Sequence, residues 1–386
     1  MKTKISKEFN KYQFKIPKSS SSTLKVPSTP RIARTPKIIN TNPVSKAKNF
    51  TFHYVIGQGS FGTVWKATSL LDKKNYAIKI SIKSQNISNL INRVEKLEDH
   101  PNIVKTIDIW EEARYQYTQM ELCERGSLVN VLDHLVEKNK TLDNDVLWRI
   151  IHDISQGLLH IHQTIGYHLD IKPENLLVGD NGNIKICDFG PVDGEGDNAY
   201  MARELLNSKT TLFADIFSFG ISLFEMVTNY SLPKSGEWWH DLRNGIIEFP
   251  QDIYIDTKPT LPQVSNSLKN LIIQMMNPDP LQRISTEDIL KKISDEITLD
   301  TDIDPFMSIF DSMEITKPSI LDNRIKTKML PHLQIDDKVN NSTIFQCNFQ
   351  KLLFQSCSFP TYDNTLPTTI LGNDISFPSK RKLNFI

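Results

Sequence analysis

The chain has 386 residues, of which 39% are hydrophobic and 23% are charged, and it carries 45 basic and 45 acidic side chains. That composition is globular, and the length suits one large two-lobed domain with tails or two ordinary domains. The four cysteines form no CxxC pair, so we expect neither a disulfide framework nor a zinc module. No apolar run reaches the length of a membrane span, and the first residues lack a signal-peptide core. We therefore expect a location in the nucleus and/or the cytoplasm.

The charge is distributed unevenly along the chain. Residues 1–50 hold 12 Lys or Arg and a single acidic residue, Glu8, which leaves 33 basic and 44 acidic residues for the remainder. A basic segment rich in Ser and Pro buries too little apolar surface to fold, so we predict a disordered tail, with a nuclear-import or regulatory segment as the alternative. Residues 298–386 are rich in Asn, Asp, Thr, Ser and Pro and are predicted to be largely disordered as well. The folded domain is therefore predicted at 51–297.

The predicted domain begins with strands and continues with helices. Short stretches rich in β-branched and aromatic residues predict strands at 52–56, 63–67, 75–80, 104–110 and 117–122. Apolar residues at helical spacing between 87 and 97 predict one amphipathic helix, and the pattern from Ser127 onward is mainly helical. This order predicts an α+β protein with a small β-rich lobe, a larger helical lobe and a cleft between them.

A glycine-rich loop lies between the first two strands. Glycines at 57, 59 and 62 let the backbone approach a polyphosphate, whose oxygens its N–H groups can bind. The same spacing occurs in dinucleotide-binding folds, but there a helix follows, whereas here a strand follows. The predicted nucleotide-binding positions of this loop are Ile56, Gly57, Gln58, Gly59, Ser60, Phe61, Gly62, Thr63 and Val64.

A strand lysine, Lys79, comes about 17 residues after the loop in the sequence Ala77-Ile78-Lys79. Lysine at this place can neutralise the charge of the α- and β-phosphates. Without the glycine loop the same residue would be interpreted as an ordinary edge-strand lysine. Loop and lysine together predict that the small lobe binds ATP.

The strongest pattern runs from His168 to Gly190. Phosphoryl transfer needs a carboxylate that orients the attacking hydroxyl, a cation for the γ-phosphate and oxygen ligands for Mg²⁺. The sequence supplies them in that order as Asp170, Lys172, and the pair Asn175 and Asp188. Each residue alone could be a turn former or a cap, but the ordered set predicts a protein kinase that uses ATP and Mg²⁺.

Later positions match structural residues of kinases. The segment after the fifth strand is predicted to bind adenine through Glu121 and Cys123, with Met120 as the gatekeeper, although a core methionine is compatible with that role. Asp215 matches the helix residue that holds the catalytic-loop backbone. Glu204 and Arg283 match a carboxylate and an arginine that pair across the helical lobe.

Three details resemble the Wee/Myt family, whose members phosphorylate cyclin-dependent kinases in the glycine loop and so inhibit them. Leu169 replaces the usual arginine before the catalytic aspartate, the motif Glu195-Gly-Asp197 precedes Tyr200, and residues 232–243 are similar to the family's sequence. The resemblance covers 51–297. It implies phosphorylation of Tyr and/or Thr in a cyclin-dependent kinase–cyclin complex, a monomeric enzyme and no nucleic acid as partner.

The activation segment predicts activity without phosphorylation. The arginine before the catalytic aspartate normally gathers a phosphate on this segment, and Leu169 cannot do so. Between Gly190 and Met201 the only hydroxyl belongs to Tyr200. We therefore expect a segment that is ordered without modification, with Glu195 or Asp197 as a fixed anion.

Two features leave the level of activity and the type of acceptor open. The strand lysine normally pairs with a glutamate on the following helix. Counting back from His100 places Leu90 there, whereas counting forward from Lys79 places Glu95 there. This leaves open a weakly catalytic pseudokinase that acts as a cyclin-docking protein. Lys172 is the pattern of Ser/Thr kinases, so a Ser/Thr kinase with another substrate is the second alternative.

Both tails carry short motifs. Thr29 and Thr35 each precede proline and a basic residue, which resembles sites of proline-directed kinases, although chance prolines in a disordered run give the same pattern. Near the other end Arg381, Leu383 and Phe385 resemble a short cyclin-docking motif, with a basic tail or import signal as the alternative. A tethered contact of this kind would raise the effective substrate concentration.

Overall fold

The computed structural model describes residues 45–59, 62–83, 87–138, 140–189, 196–207, 209–249 and 264–296. Its strands are β1 (Phe50–Gly59), β2 (Gly62–Ser69), β3 (Asn75–Ile82), β4 (Thr106–Glu112), β5 (Tyr115–Glu121), β6 (Leu176–Val178) and β7 (Ile184–Ile186). Its helices are α1 (Ile87–Lys96), α2 (Leu128–Glu137), α3 (Asn144–Thr164), α4 (Leu212–Thr228), α5 (Glu237–Arg243), α6 (Asn266–Met275) and α7 (Thr286–Glu296). Short 3-10 turns occupy Lys46–Asn49, Pro173–Asn175 and Arg203–Asn207.

The small lobe is one antiparallel sheet with the strand order β1-β2-β3-β5-β4. Each of the five predicted strands overlaps an observed strand, because alternating apolar side chains in this part of the sequence do face one core. That core is aromatic: Phe52 and Tyr117 are fully buried, and Trp110 stacks on Tyr117 with ring centroids 5.1 Å apart. The packed sheet fixes the strands that carry the glycine loop and Lys79.

The fold extends further toward the amino terminus than the predicted boundary between residues 50 and 51. Ala47 is fully buried, and its N–H donates to Glu112 Oε1 at 2.9 Å. Ser45 Oγ donates to the other oxygen of the same carboxylate at 2.5 Å. Residues 45–50 therefore belong to the small lobe, and the rest of the predicted head lies outside the described residues.

The large lobe is helical apart from the hairpin of β6 and β7. Helices α3 and α4 run through its centre, and almost every residue of α4 is buried. The predicted α+β, bilobal architecture is confirmed. No helix among the described residues is long and apolar enough to cross a membrane.

Residues that follow α1 join the two lobes. Ile103 forms a parallel bridge with Ile186 of β7, and Val104 N donates to the Ile186 carbonyl at 2.9 Å. The side chain of Asn102 is buried and donates to the Ile184 carbonyl at 3.0 Å. The sheet is thus anchored on the strand that leads into Asp188, which places the glycine loop and Asp188 in one cleft.

The orientation of α1 distinguishes the two registers that the sequence left open. Leu90 and Val94 pack against the core of the large lobe, whereas Glu95 is exposed. Five residues separate Leu90 from Glu95, which is about 140° around a helix. Leu90 therefore occupies the inward face of α1, in agreement with the count from His100.

Candidate active site

The glycine loop is the turn between β1 and β2. The strands pair up to Gly59 and Gly62, and Ser60 and Phe61 between them lie outside the described residues. Gly62 has a φ of 143°, and a Cβ at this position would lie 2.5 Å from the Ile80 carbonyl oxygen. Glycine is required here because of the positive φ and because the neighbouring strand β3 leaves no room for a side chain.

Lys79 lies on the central strand β3, opposite Val64 of β2 and Thr118 of β5. Its Nζ is 2.5 Å from Oδ1 of Asp188, and both side chains are largely buried. Asp188 has a left-handed backbone with a φ of 68°, a strained conformation that is typical of active sites. The predicted phosphate-binding lysine and the predicted metal ligand are thus in direct contact.

Asp215 of α4 binds the backbone of the catalytic loop. Its fully buried carboxylate accepts the N–H of His168 at 2.8 Å and the N–H of Leu169 at 2.6 Å. Leu169 has a φ of 73°, a conformation that leucine seldom adopts, and these two hydrogen bonds stabilise it. His162 adds a third contact to the same carboxylate at 3.0 Å. The predicted role of Asp215 is confirmed.

His168 fixes the catalytic loop relative to Asp188. Its Nδ1 accepts the N–H of Asp170 at 3.1 Å, and its Nε2 donates to the Cys187 carbonyl at 3.0 Å. These partners require the neutral tautomer, and burial lowers the pKa of the imidazole, which keeps it neutral. The ring also meets Phe189 edge-on, with centroids 5.1 Å apart.

Asp170, Lys172 and Asn175 form one cluster. Lys172 Nζ lies 3.0 Å from Asp170 Oδ1, and Asn175 Nδ2 donates to Asp170 Oδ2 at 2.8 Å. Burial alone would lower the pKa of Lys172, but Asp170 and the more distant Asp197 raise it above its usual value. The lysine is therefore a fixed positive charge beside a carboxylate whose two oxygens are both oriented.

The donor atoms of this region suit ATP and a divalent cation. Because Asn175 Nδ2 donates to both the main-chain oxygen and Oδ2 of Asp170, its Oδ1 points away from that residue as a potential ligand. Asp188 supplies a carboxylate, and hard cations of this size prefer such oxygen ligands together with phosphate. Lys79 supplies the complementary charge for a phosphate group.

The segment after β5 connects the lobes. The Glu121 carboxylate accepts the N–H of Lys105 at 2.7 Å and the Nζ of Lys185 at 2.8 Å, so it ties β5 to β7. Burial raises the pKa of the Cys123 thiol to about 12, with a contribution from Glu121, and the thiol therefore stays protonated at neutral pH. Since the Glu121 carboxylate is committed to these two contacts, any contact between Glu121 and a base falls to its backbone.

The structure describes the end of the activation segment from Gly196 onward. A Cβ on Gly196 would lie 2.7 Å from the Leu169 carbonyl oxygen, so the segment passes tightly over the catalytic loop. Asp197 accepts the Ala199 N–H at 3.0 Å and lies 3.5 Å from Lys234. Asp197 is thus placed as an anion in this segment, whereas Glu195 lies outside the described residues.

Tyr200 is a structural residue. It is 7% exposed, and its hydroxyl donates to Glu225 Oε2 at 2.7 Å. A buried hydroxyl with a carboxylate partner is a poor acceptor for another kinase. Glu204 and Arg283 form the predicted buried pair, with contacts of 2.6 and 3.3 Å.

A contact between α1 and the residue before the catalytic loop was not predicted from the sequence. Arg93 Nη2 donates to the Tyr167 carbonyl at 2.8 Å, and its guanidinium lies 5.6 Å from the centre of the Tyr167 ring. Burial lowers the pKa of Arg93. The one available signal was the position of an arginine between Leu90 and Val94 on the face that packs against the large lobe.

The site belongs to an enzyme that moves a phosphoryl group, and comparison with known families gives the same class. The family model described as the protein kinase domain matches residues 50–293. A probable protein kinase of Dictyostelium discoideum is 43% identical, over 66% of this chain and 76% of that protein.

Two further relatives are cell-cycle kinases by name. The membrane-associated tyrosine- and threonine-specific cdc2-inhibitory kinase of Drosophila melanogaster is 33% identical over 61% of this chain, and the mitosis inhibitor protein kinase wee1 of Schizosaccharomyces pombe is 32% identical over 71% of it. The chain spans 45% and 34% of the lengths of these two proteins. The chain belongs to the protein kinase family, and within it the chain is similar to these cdc2-inhibitory and mitosis-inhibitor kinases.

Proposed function

We propose that this chain transfers the γ-phosphoryl group of Mg-ATP to a tyrosine and/or threonine in the glycine loop of a cyclin-dependent kinase. The transfer would inhibit that kinase and delay entry into mitosis. The observation that carries this proposal is the similarity to cdc2-inhibitory and mitosis-inhibitor kinases, which extends over the whole catalytic domain. The geometry of the site supplies the chemical argument.

In this proposal Asp170 orients the acceptor hydroxyl and takes its proton. Its carboxylate is held on one side by Lys172 and on the other by Asn175, so it needs no rearrangement before the reaction. Lys172, whose pKa is raised, remains charged and can accompany the γ-phosphoryl group as negative charge develops. Lys79 would hold the other phosphates beneath the glycine loop, between Val64 and Asp188.

Asn175 and Asp188 are the proposed ligands of magnesium. Bound Mg²⁺ would neutralise the charge of the β- and γ-phosphates. The residues that orient both ligands are already in place: Asp170 fixes the amide of Asn175, and the Cys187 N–H donates to the Asn175 carbonyl at 2.9 Å. The second contact ties the backbone of Asn175 to the residue directly before Asp188, so the two proposed ligands are held next to each other.

The activation segment supports a Wee-like role. Leu169 offers no guanidinium for a phosphate, Gly196 permits the close approach over the catalytic loop, and Asp197 supplies a permanent charge near Lys172. A kinase built in this way needs no activating kinase before it acts. That property suits an enzyme that restrains other kinases.

A second candidate function is a Ser/Thr kinase with another substrate. It is favoured by Lys172, because the lysine two residues after the catalytic aspartate is the pattern of Ser/Thr kinases. A third candidate is a poorly catalytic docking protein, which Leu90 on the inward face of α1 favours. The identity of the phosphorylated residue separates the first two candidates. If Asp170→Asn abolishes the effect of the protein on its target, the docking protein is excluded; if the effect persists, the docking protein is supported.

The tails contribute to the proposal only through their sequence. Arg381, Leu383 and Phe385 lie outside the described residues and are proposed as a cyclin-docking motif. Thr29 and Thr35, also outside them, are proposed as sites of proline-directed phosphorylation. Action on cyclin-bound kinases would place the protein in the nucleus and/or the cytoplasm.

The test uses the full chain and a purified cyclin-bound cyclin-dependent kinase that is itself made inactive by substitution. Wild-type protein and Asp170→Asn are each incubated with this substrate and Mg-ATP, and the phosphorylated residues are mapped by mass spectrometry. We expect phosphate on the glycine-loop tyrosine and/or threonine with the wild type and none with Asp170→Asn. The double variant Leu383→Ala with Phe385→Ala should lower the rate on the cyclin-bound substrate but not on the free catalytic subunit.

Three results would oppose the proposal. Phosphate only on other serine or threonine residues would favour the second candidate. Binding of the complex without transfer would favour the docking protein. Equal phosphorylation by wild type and Asp170→Asn would show that a contaminating kinase is responsible.

A further inference from the structure

Backbone carbonyls at the end of the activation segment accept an unusual set of side-chain hydrogen bonds. The carbonyls of four consecutive residues, 198 to 201, each accept one or more donors from α4 or α5. Ser218 of α4 binds the Tyr200 carbonyl at 3.0 Å. The remaining three carbonyls are bound by one residue, Arg243, with help from Trp239.

Arg243 is the last residue of α5 and is 1% exposed. Its Nε donates to Met201 O at 3.0 Å, and its Nη2 donates to Asn198 O at 3.0 Å and to Ala199 O at 2.9 Å. Its Nη1 donates to the Trp239 carbonyl within α5 at 3.2 Å. The planar fork of the guanidinium thus spans both ends of the segment at once.

The charge of Arg243 is accommodated by dipoles and by an aromatic face. The guanidinium carbon lies 3.9 Å from the centre of the Trp239 ring, a close cation–π distance. Burial lowers the pKa of Arg243 to about 9, which still leaves the side chain charged at neutral pH. Leaving a buried guanidinium without hydrogen-bond acceptors costs free energy, so Arg243 resists any movement of the carbonyls that it binds.

We propose that Arg243 is the positioning residue that keeps the end of the activation segment ready for the protein substrate without phosphorylation. In many kinases an added phosphate orders this segment by pairing with arginines. Here the charges are exchanged, because a permanent buried cation, Arg243, binds backbone carbonyls of the segment. The segment therefore does not need the phosphate-binding arginine that Leu169 replaces.

The location of the segment indicates which step depends on Arg243. A Cβ on Gly196, two residues before the first of the four carbonyls, would lie 2.7 Å from the Leu169 carbonyl oxygen, so the segment begins next to the catalytic loop. The main-chain carbonyl of Asp197 accepts the N–H groups of Tyr200 and Met201 at 2.9 and 3.1 Å. Nucleotide binding depends on the small lobe and the cleft, whereas the acceptor protein must lie along this segment. Loss of Arg243 should therefore affect the protein substrate far more than ATP.

The first readout is hydrogen exchange in the full-length protein, and it needs no substrate. The variants are Arg243→Met, which removes all donors, and Arg243→Lys, which keeps the charge and one donor group. Lys291→Met is the matched control, since it removes one positive charge from the exposed face of α7. We expect faster exchange of the Tyr200 and Met201 amides in Arg243→Met, intermediate exchange in Arg243→Lys and wild-type exchange in the control.

The second readout separates the two substrates of the reaction. ATP affinity is measured by titration, ATP hydrolysis without acceptor by phosphate release, and transfer by phosphorylation of a cyclin-bound cyclin-dependent kinase and of a glutamate–tyrosine copolymer. A hydrogen bond to a charged group contributes about 1.5–3 kcal/mol, so kcat/KM for the acceptors should fall roughly 10- to 100-fold in Arg243→Met. ATP affinity and hydrolysis should stay at the wild-type level, and Arg243→Lys should restore part of the transfer.

Two results would overturn the inference. The first is wild-type exchange at Tyr200 and Met201 in Arg243→Met. The second is a parallel loss of ATP binding, hydrolysis and transfer in both variants, which indicates a general structural role. Because the exchange experiment uses no acceptor, a wrong choice of substrate under the proposed function cannot imitate either result.

Discussion

Substitution of Arg283 by methionine should destabilise the large lobe strongly, because it leaves a buried carboxylate without its cation. The side chains of Arg283 and Glu204 are 1% and 7% exposed, and their two contacts are 2.6 and 3.3 Å long. Removing one partner of such a pair costs about 3–5 kcal/mol. For a domain of this size each kcal/mol lowers the melting temperature by about 2–4 °C, so a decrease of roughly 6–20 °C is expected.

The assay is thermal unfolding of four proteins, followed by circular dichroism. Lys291→Met is the matched control, because Lys291 pairs with Asp288 on the surface, where water and salt screen the pair and its loss changes stability little. The double variant Arg283→Met with Glu204→Leu removes both charges and should be at least about 1 kcal/mol more stable than Arg283→Met alone. Equal melting temperatures for the single and double variants, or a single variant that melts like the control, would refute the assignment of a buried, energetically coupled pair.

Three further predictions concern the small lobe and the catalytic loop. Gly62→Ala should lower the free energy of unfolding by about 1–3 kcal/mol, because Gly62 has a positive φ and a Cβ would meet the Ile80 carbonyl. Gly59→Ala should unfold like the wild type, because the space around a Cβ at Gly59 is open. Equal effects of the two substitutions in thermal unfolding would contradict this. Leu90→Glu should lower KM for ATP by roughly fivefold, because a carboxylate on the inward face of α1 is expected to contribute about 1 kcal/mol. Glu95→Gln should leave KM unchanged, because Glu95 is exposed. In steady-state kinetics, an effect of Glu95→Gln without an effect of Leu90→Glu would favour Glu95 as the partner of Lys79. The pKa of His168 is lowered by burial, so the unfolded chain binds this proton first as pH falls, and the stability contributed by the neutral ring is complete above about pH 6.5 and declines below it. Nitrogen-15 NMR of the histidines should show His168 titrating below the pKa of free imidazole, and titration at or above that value would contradict the assignment.

The residues that act locally were predictable from the sequence. The glycine loop, Lys79 and the series from Asp170 to Asp188 follow elements with clear periodicity, so their order along the chain fixed their places in the cleft. Asp215 was also predictable, but only from its match to the helix residue that holds the catalytic-loop backbone in kinases. The α+β order of the elements was sufficient for the two lobes.

The contacts of two arginines, Arg243 and Arg93, could not be predicted. Arg243 lies about 42 to 45 positions from the carbonyls that it binds, and Arg93 lies 74 positions from Tyr167. Backbone carbonyls carry no residue identity, so no pattern of side chains marks them as partners. The turn at Lys46–Asn49 was missed for a related reason, since its one buried side chain, Ala47, gives almost no hydrophobic signal.

The most direct test of the central claim measures phosphoryl transfer by protein made in bacteria and shown by intact mass to be unphosphorylated. The rate for the wild type is compared with that for Asp170→Asn, and the affinity of each for ATP is measured in parallel. A catalytic base contributes about 10²- to 10⁴-fold, so we predict transfer by the unmodified wild type, a loss of that size in Asp170→Asn and equal ATP affinity. Nucleotide binding by both proteins with transfer by neither would contradict the account, and Leu90 would then be the residue to explain the inactive site.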